Sequence, residues 1–597
     1  MRLPLFLLAV LLPLTAAAQQ TAAPAPVAYV LTVDSADLSG WAVEMRIPDA
    51  PETMRLVMAA HPEYDDAFRR FVRDFTAESR GGAAEVVRED SAVWRVRSPG
   101  GEVTVRYRVG VPPGEEGFRG AWVPFLTPTG GLTGGPHAFM YVLGREQAPA
   151  RVELRLPPGW DVATALPRDG SARRFAAPDV ATLLDSPVLI GNLRRWRFEE
   201  GGVPHHVAYW PLPDAVPFDT AALVEALHGI VREGREMFRG LPYGEYFFLM
   251  VDGAYGGLEH ASSTTLGAPS TELAGDWSEF LLSAAHEYFH VWNLMRLRPA
   301  NWGGLTHLPP ARTRELWWSE GVTMYYADLL LRRAGLVQTS RLEALAADLE
   351  RYLDSPAITA VSPEEAGWIS EAGGAAGDLG DHYLQGELAG TVLDLVIRDS
   401  TGGARTLDDV MRAMLAAHPP GRGYTGGDIE RTAGQVCGCD LSAFFTRHIR
   451  GAQPLDFAPA MRRLGLAPRV RMQPVVDAQG RPQADLRVWP VESPGGNPPR
   501  LIVADPRSAW ARAGLRTGDL VASINGTAVD SRRAFFTAAR ALRVGDRVRV
   551  EAVRDGQPVT AEFVMEGYEE RKLAFEDLPS VTPQQRAARA RWLAAAP

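Results

Sequence analysis

The chain has 597 residues, of which 72 are acidic and 62 basic, for a net charge of −10, and it contains only two cysteines. So mild a charge without a basic stripe excludes nucleic acid as an expected partner, and two cysteines are too few to build a zinc site of their own. The length is far beyond a single hydrophobic core; at about 150 residues per domain, three or four units are expected. Met1-Arg2, the apolar run Leu3 to Leu14 and then Ala16-Ala17-Ala18-Gln19 have the three parts of a secretory signal peptide. Residues 1–18 are therefore expected to be removed and the protein exported, to a periplasm or beyond the cell. No other stretch is apolar for the length a membrane helix needs, and no cysteine near that point offers a lipid attachment site.

After a Pro/Ala-rich linker, Thr21 to Pro26, residues 27–203 show short alternating segments such as Glu102 to Val109, with frequent Gly and Pro, and read as an antiparallel β domain. Residues 204–460 change to long helical patterns: Thr220 to Phe238, Asp276 to Met295, Thr313 to Arg333, Arg341 to Leu353 and Gln385 to Arg398. A short β-type run, Tyr246 to Val251, lies among them.

The second of these helical patterns carries His286-Glu287-Tyr288-Phe289-His290, an H-E-x-x-H pentad. Residues four apart on a helix lie one above the other, so both imidazoles can face one zinc ion while Glu287 lies beside its water. Asp276 followed by Glu279 has the form of a capping box, and Phe280, Leu281, Ala284, Ala285, Tyr288 and Phe289 supply the apolar face. A catalytic zinc wants three protein ligands and leaves a position open. The third candidate is Glu320, in Trp317-Trp318-Ser319-Glu320-Gly321, with 29 residues between it and His290. Pro299, Gly303-Gly304 and Pro309-Pro310 allow the chain to turn back between the two, and the bulky apolar neighbours of Glu320 favour a buried carboxylate that needs a cation.

Four blocks, in this order, carry a resemblance: Tyr255-Gly256-Gly257-Leu258-Glu259-His260, His286 to Asn293, Leu316 to Gly321, and Tyr383-Leu384-Gln385-Gly386-Glu387. They resemble the gluzincin group of zinc metallopeptidases, and most closely the glycyl aminopeptidase family whose members carry a C-terminal PDZ domain. The resemblance implies one zinc per chain, held by His286, His290 and Glu320, with Glu287 as general base. It implies that Gly256, Gly257 and Glu259 form the strand segment holding the substrate's free amino group. A carboxylate there suits an ammonium taken into a partly dry cleft, although an ordinary loop glutamate would give the same pattern. Tyr383 matches a tyrosine that stabilises the transition state in related aminopeptidases; a core-packed helix-start tyrosine is the bland alternative. Peptides with free N-termini are the implied partners, with glycine or alanine at the first position.

Residues 465–570 return to β character, and Ala513 to Gly526 resembles the centre of a PDZ domain, with Ser531 to Leu542 as the helix flanking its groove. Such a unit takes a peptide ligand as an added strand or serves as an architectural brace. Where a carboxylate-binding loop is expected, Ser493-Pro494-Gly495-Gly496-Asn497-Pro498-Pro499 has prolines that remove amide donors. Cys437 and Cys439, one glycine apart, allow a strained disulfide, two free thiols or a plain turn feature. Residues 571–597 read as a short polar helix or tail.

The expected fold class is multidomain α+β: an N-terminal antiparallel β domain, a thermolysin-like, mostly helical catalytic domain, and a C-terminal PDZ-like β domain. The expected activity is zinc-dependent removal of N-terminal residues. The alternatives are an endopeptidase of the same fold and an inactive PDZ-bearing scaffold.

Overall fold

A computed structural model describes residues 25–60, 68–112, 119–302, 305–308, 311–370, 380–491 and 498–595. The signal-peptide segment, Gly303-Gly304, Pro309-Pro310 and Ser493 to Asn497 lie outside the described residues.

The alternation read at Glu102 to Val109 is real: in the strand Gly101–Gly110, Val103, Val105, Tyr107 and Val109 are buried and their neighbours face outward. This strand pairs antiparallel with Asp37–Ala50 in a seven-stranded sheet. One pairing departs from the expected antiparallel pattern, because Val27–Asp34 runs parallel to Ala150–Arg155 along its other edge. A second, four-stranded sheet closes the core over Trp41, Trp94 and Tyr107.

The helical region is built on a mixed sheet ordered Arg194–Glu200, Val203–Trp210, Tyr246–Val251, Ser263–Gly267, Gly257–Glu259. Tyr246–Val251 is buried at every position, as a strand covered on both faces must be. Gly257–Glu259 pairs on one side with Ser263–Gly267 and forms the edge of this sheet. Helices Thr220–Phe238, Ser278–Phe289, Val322–Arg333 and His382–Ser400 pack into one apolar core with the sheet.

The chain leaves this core through Leu466–Pro474 and returns through Glu569–Asp577, two strands that pair antiparallel along their whole length. Between them lies the PDZ-like β unit, with its own core around Trp510, Val521 and Val550. The helix beside it runs Arg532–Arg540.

The last segment is more than a polar tail. Helix Pro583–Leu593 starts with a capping box made by Thr582 and Gln585, and its Trp592 is 1 % exposed in the helical core. Arg341 stacks its guanidinium 4.1 Å from the Trp592 ring and donates to the Trp592 carbonyl at 2.7 Å. Arg333 donates to the Ala595 carbonyl at 2.8 Å. One buried tryptophan on an otherwise polar helix gives almost no periodic signal, which is why the segment reads as a tail. Trp592→Ala is expected to lower unfolding free energy by about 3–5 kcal/mol, readable by denaturant titration; an unchanged midpoint would mean the helix does not hold the C-terminal unit to the core.

No helix among the described residues is long and apolar enough to cross a membrane. Cys437 and Cys439 form a disulfide across Gly438, at the end of helix Gly426–Cys437.

Candidate active site

The pentad lies on the Ser278–Phe289 helix, whose first turn is fixed by Asp276: its carboxylate accepts from the Ser278 amide at 3.1 Å and the Ser278 hydroxyl at 2.6 Å. The expected capping box with Glu279 does not form, because Trp277 occupies the cap and Asp276 closes a local turn instead. The helix also ends at Phe289 rather than Met295. Wide turns take over, with Met295 N–H on the His290 carbonyl and Leu297 N–H on the Trp292 carbonyl, and Leu294 takes φ 144°.

Asn293 explains this ending. Its carbonyl accepts from His290 Nδ1 at 2.9 Å, and its side-chain amide donates at 2.9 Å to the Trp318 carbonyl and at 2.9 Å to Thr323 Oγ1. One residue thus orients a histidine and ties its helix to the segment bearing Glu320. Donation from Nδ1 leaves the His290 Nε2 lone pair free for a metal.

Glu320 sits in a π-type turn, Trp317–Gly321, that opens the Val322–Arg333 helix. His286 Nε2 is 3.2 Å and His290 Nε2 3.3 Å from Glu320 Oε2, and the two nitrogens are 3.0 Å apart. Ligands about 2.0–2.1 Å from a tetrahedral zinc stand about 3.3 Å from one another, so this triangle fits such an ion. The three groups are 7 %, 1 % and 4 % exposed, and Glu320 Oε1 is buried without a hydrogen bond among the described residues. Donor lone pairs gathered this tightly and this dry call for a cation.

The electrostatics show the same demand. Burial opposes charge on His290, but Glu320, then Glu259 and Glu287, outweigh it and hold its pKa well above the ordinary range. Burial and the neighbouring His290 lower that of His286. Burial also resists charge on Glu320, yet the two imidazoles hold its carboxyl well below the usual value.

Glu259, Glu287 and His290 form a second cluster, with one ligand atom of each within 4.8 Å of the others. Glu259 comes from the edge strand, and Glu287 comes from the helix beneath it. Their approach depends on Gly257, where an added Cβ would stand 2.4 Å from Glu287 Cγ. Gly256 has φ 67°, a left-handed conformation that suits glycine, and a Cβ there would meet the Trp122 ring at 3.0 Å.

Tyr383 opens onto the same region: it is 41 % exposed, near the start of helix His382–Ser400, with its ring centroid 5.9 Å from that of His286. The helix approaches closely because two glycines face each other. A Cβ on Gly321 would lie 2.5 Å from Gly386 Cα, and one on Gly386 would lie 2.0 Å from the Trp317 carbonyl oxygen. Gly257, Glu259, His286, Glu287, His290, Glu320 and Tyr383 are thus brought together in one region. His382 is buried beside Tyr383, while His260 pairs elsewhere.

Two contributions from the N-terminal domain carry no sequence signal. Asp185 accepts from His260 Nδ1 at 3.2 Å and from the Ala261 amide at 2.9 Å, fixing the chain just after Glu259. The Arg119–Gly120 strand pairs with Ala254–Tyr255, and the Ala121 amide donates to the Tyr255 carbonyl. Both act across long sequence separations.

Three family models match the chain: the Peptidase M61 N-terminal domain over residues 28–192, the M61 glycyl aminopeptidase over 279–388, and a PDZ domain over 472–564. No curated protein matches in sequence. Among solved structures, an aminopeptidase N family protein from Idiomarina loihiensis has TM-score 0.78 at 22 % identity, covering 95 % of this chain and 100 % of its own. An M1 zinc metallopeptidase from Deinococcus radiodurans, with and without a Tyr-Ser-Ala substrate, has TM-scores of 0.48 and 0.47 at 16 % identity, over 73 % of this chain and 95 % of its own. Segments similar to the M61 N-terminal domain, the M61 glycyl aminopeptidase and a PDZ domain thus follow one another in this order along one chain, and they support a metallopeptidase hydrolase.

Proposed function

We propose that the protein is an exported aminopeptidase that removes a small N-terminal residue, glycine or alanine, from peptides, with zinc held by His286, His290 and Glu320. One observation carries this reading. Three buried carboxylates, Glu259, Glu287 and Glu320, crowd around the two histidines. A divalent cation offsets two of these negative charges, and a single α-ammonium on Glu259 offsets the third. A free N-terminus is the part of a peptide that brings that charge. Export is supported by the apolar run Leu3 to Leu14 and the small residues after it.

Zinc, when bound, supplies Lewis acidity toward water and the scissile carbonyl. The chain's own residues do the rest. Glu259 holds the ammonium and so sets which peptide bond reaches the centre. The outer side of Gly257–Glu259, the edge strand of its sheet among the described residues, offers backbone groups to an extended peptide. Glu287 takes the proton of the attacking water and returns it to the leaving amine. Tyr383 donates its phenolic hydrogen to the carbonyl oxygen as negative charge builds there.

Paired substrates test the reading: alanyl and glycyl amides with free or acetylated N-termini. The free forms are expected to be cleaved at least about 100-fold faster, because the acetylated forms bring no ammonium to the Glu259 carboxylate. Equal or greater hydrolysis of the acetylated forms would replace the aminopeptidase by an endopeptidase. No hydrolysis of either would favour the scaffold.

A further inference from the structure

Glu259 also forms part of the wall of a cavity of about 470 Å³ between the N-terminal domain and the catalytic core. Thr133 and Asp185 line it from the first, and His260, Thr265 and Arg298 from the second. Small-molecule sites span about 300–1,000 Å³, so this space is far larger than a hydrogen or a methyl group requires. A preference for glycine or alanine leaves it unexplained.

The polar groups on its wall are unequally engaged. Asp185 is occupied by His260 Nδ1 and the Ala261 amide. Arg296, two residues before Arg298, spends its guanidinium on the carbonyls of Val291, Pro242 and Ala261. Arg298 has only the Leu294 carbonyl at 3.4 Å and the Met295 sulfur at 3.9 Å, with no carboxylate in ion-pair range among the described residues. The hydroxyls of Thr133 and Thr265 are buried without hydrogen-bond partners among the described residues. A half-buried guanidinium lacking an acid, in a cavity that also contains the amine anchor, is a receptor for an anion. Its planar fork matches a carboxylate.

We propose that Arg298 binds a carboxylate of the substrate in this cavity, so that peptides bearing an acid close to their amino terminus are cleaved in addition to those beginning with small residues. The proposal rests on the aminopeptidase reading. The acid has two sources of the same chemistry: the side chain of an N-terminal aspartate or glutamate, or the C-terminal carboxylate of a dipeptide.

Hydrolysis by the zinc-loaded full chain separates them. Glutamyl p-nitroanilide is compared with its neutral isostere, glutaminyl p-nitroanilide, and alanylalanine with alanylalanine amide, with alanyl p-nitroanilide as reference. In the wild type, the acidic member of at least one pair is expected to be favoured about tenfold in kcat/KM, mainly through KM. Arg298→Gln should bring that ratio to about one, and Arg298→Lys should keep part of it. The pair that responds names the source. If alanyl p-nitroanilide is cleaved but neither pair prefers the acid, or if Arg298→Gln leaves the ratio unchanged, the carboxylate site is overturned and the aminopeptidase stands. If alanyl p-nitroanilide is not cleaved, the aminopeptidase reading fails and the carboxylate site falls with it. The wild-type comparison decides even if Arg298→Gln does not fold.

Discussion

Glu287→Gln should keep close to one zinc per chain and lose about 10²–10⁴-fold or more in kcat. The substitution preserves shape and removes only the ability to accept a proton. The three groups proposed to hold zinc are His286, His290 and Glu320, whose mutual distances of 3.0–3.3 Å do not involve Glu287. Glu287 belongs instead to the neighbouring cluster with Glu259 and His290. One effect on metal binding is foreseeable: removing a buried negative charge slightly weakens the pull on a cation, so zinc affinity should fall modestly rather than vanish. Metal content by elemental analysis, set beside turnover of an alanyl amide, reads both quantities. Hydrolysis at the wild-type rate would remove Glu287 from the chemistry, whereas loss of zinc together with activity would make it a structural support of the metal site.

How much of this centre is legible in the sequence depends on how local each contribution is. His286, Glu287 and His290 share one helix, and a pattern of five residues suffices to find them. Glu320 is reached through a composition argument, a carboxylate among tryptophans, and lies where two buried imidazoles need it. The helix Thr220–Phe238 and the strand Tyr246–Val251 have the bounds their patterns suggest, since each is set by continuous burial. The helix bearing His286 and His290 does not, because its end is set by Asn293 bonding to a different segment, which helical periodicity cannot register. Asp185 and Arg298 are ordinary charged residues in their own neighbourhoods. Their roles arise only when the N-terminal domain closes over the Glu259 strand. Gly321 and Gly386 stand in motif blocks for an equally non-local reason: each makes room for the other's backbone.

Gly257→Ala is the substitution that tests this packing most severely. A methyl group at Gly257 would lie 2.4 Å from Glu287 Cγ and 2.8 Å from its Cδ and Oε1, well inside contact distance. Backbone strain is not the obstacle, because Gly257, unlike Gly256, is outside the left-handed region. The clash is with a side chain, so the cheaper response is for Glu287 to swing aside rather than for the strand Gly257–Glu259 to leave Ser263–Gly267. The expected variant is therefore folded, binds zinc, and melts within a few degrees of the wild type, while its kcat falls about 100-fold, the cost of displacing a reacting group by about 1 Å. KM for free-amine substrates should change less, because Glu259 stays on its strand. If the strand moved instead, KM would rise and the distinction between free and acetylated substrates would fade. Wild-type kcat in Gly257→Ala would show that helix and strand separate freely, and the edge strand would lose its place as the part that sets Glu287 against the substrate.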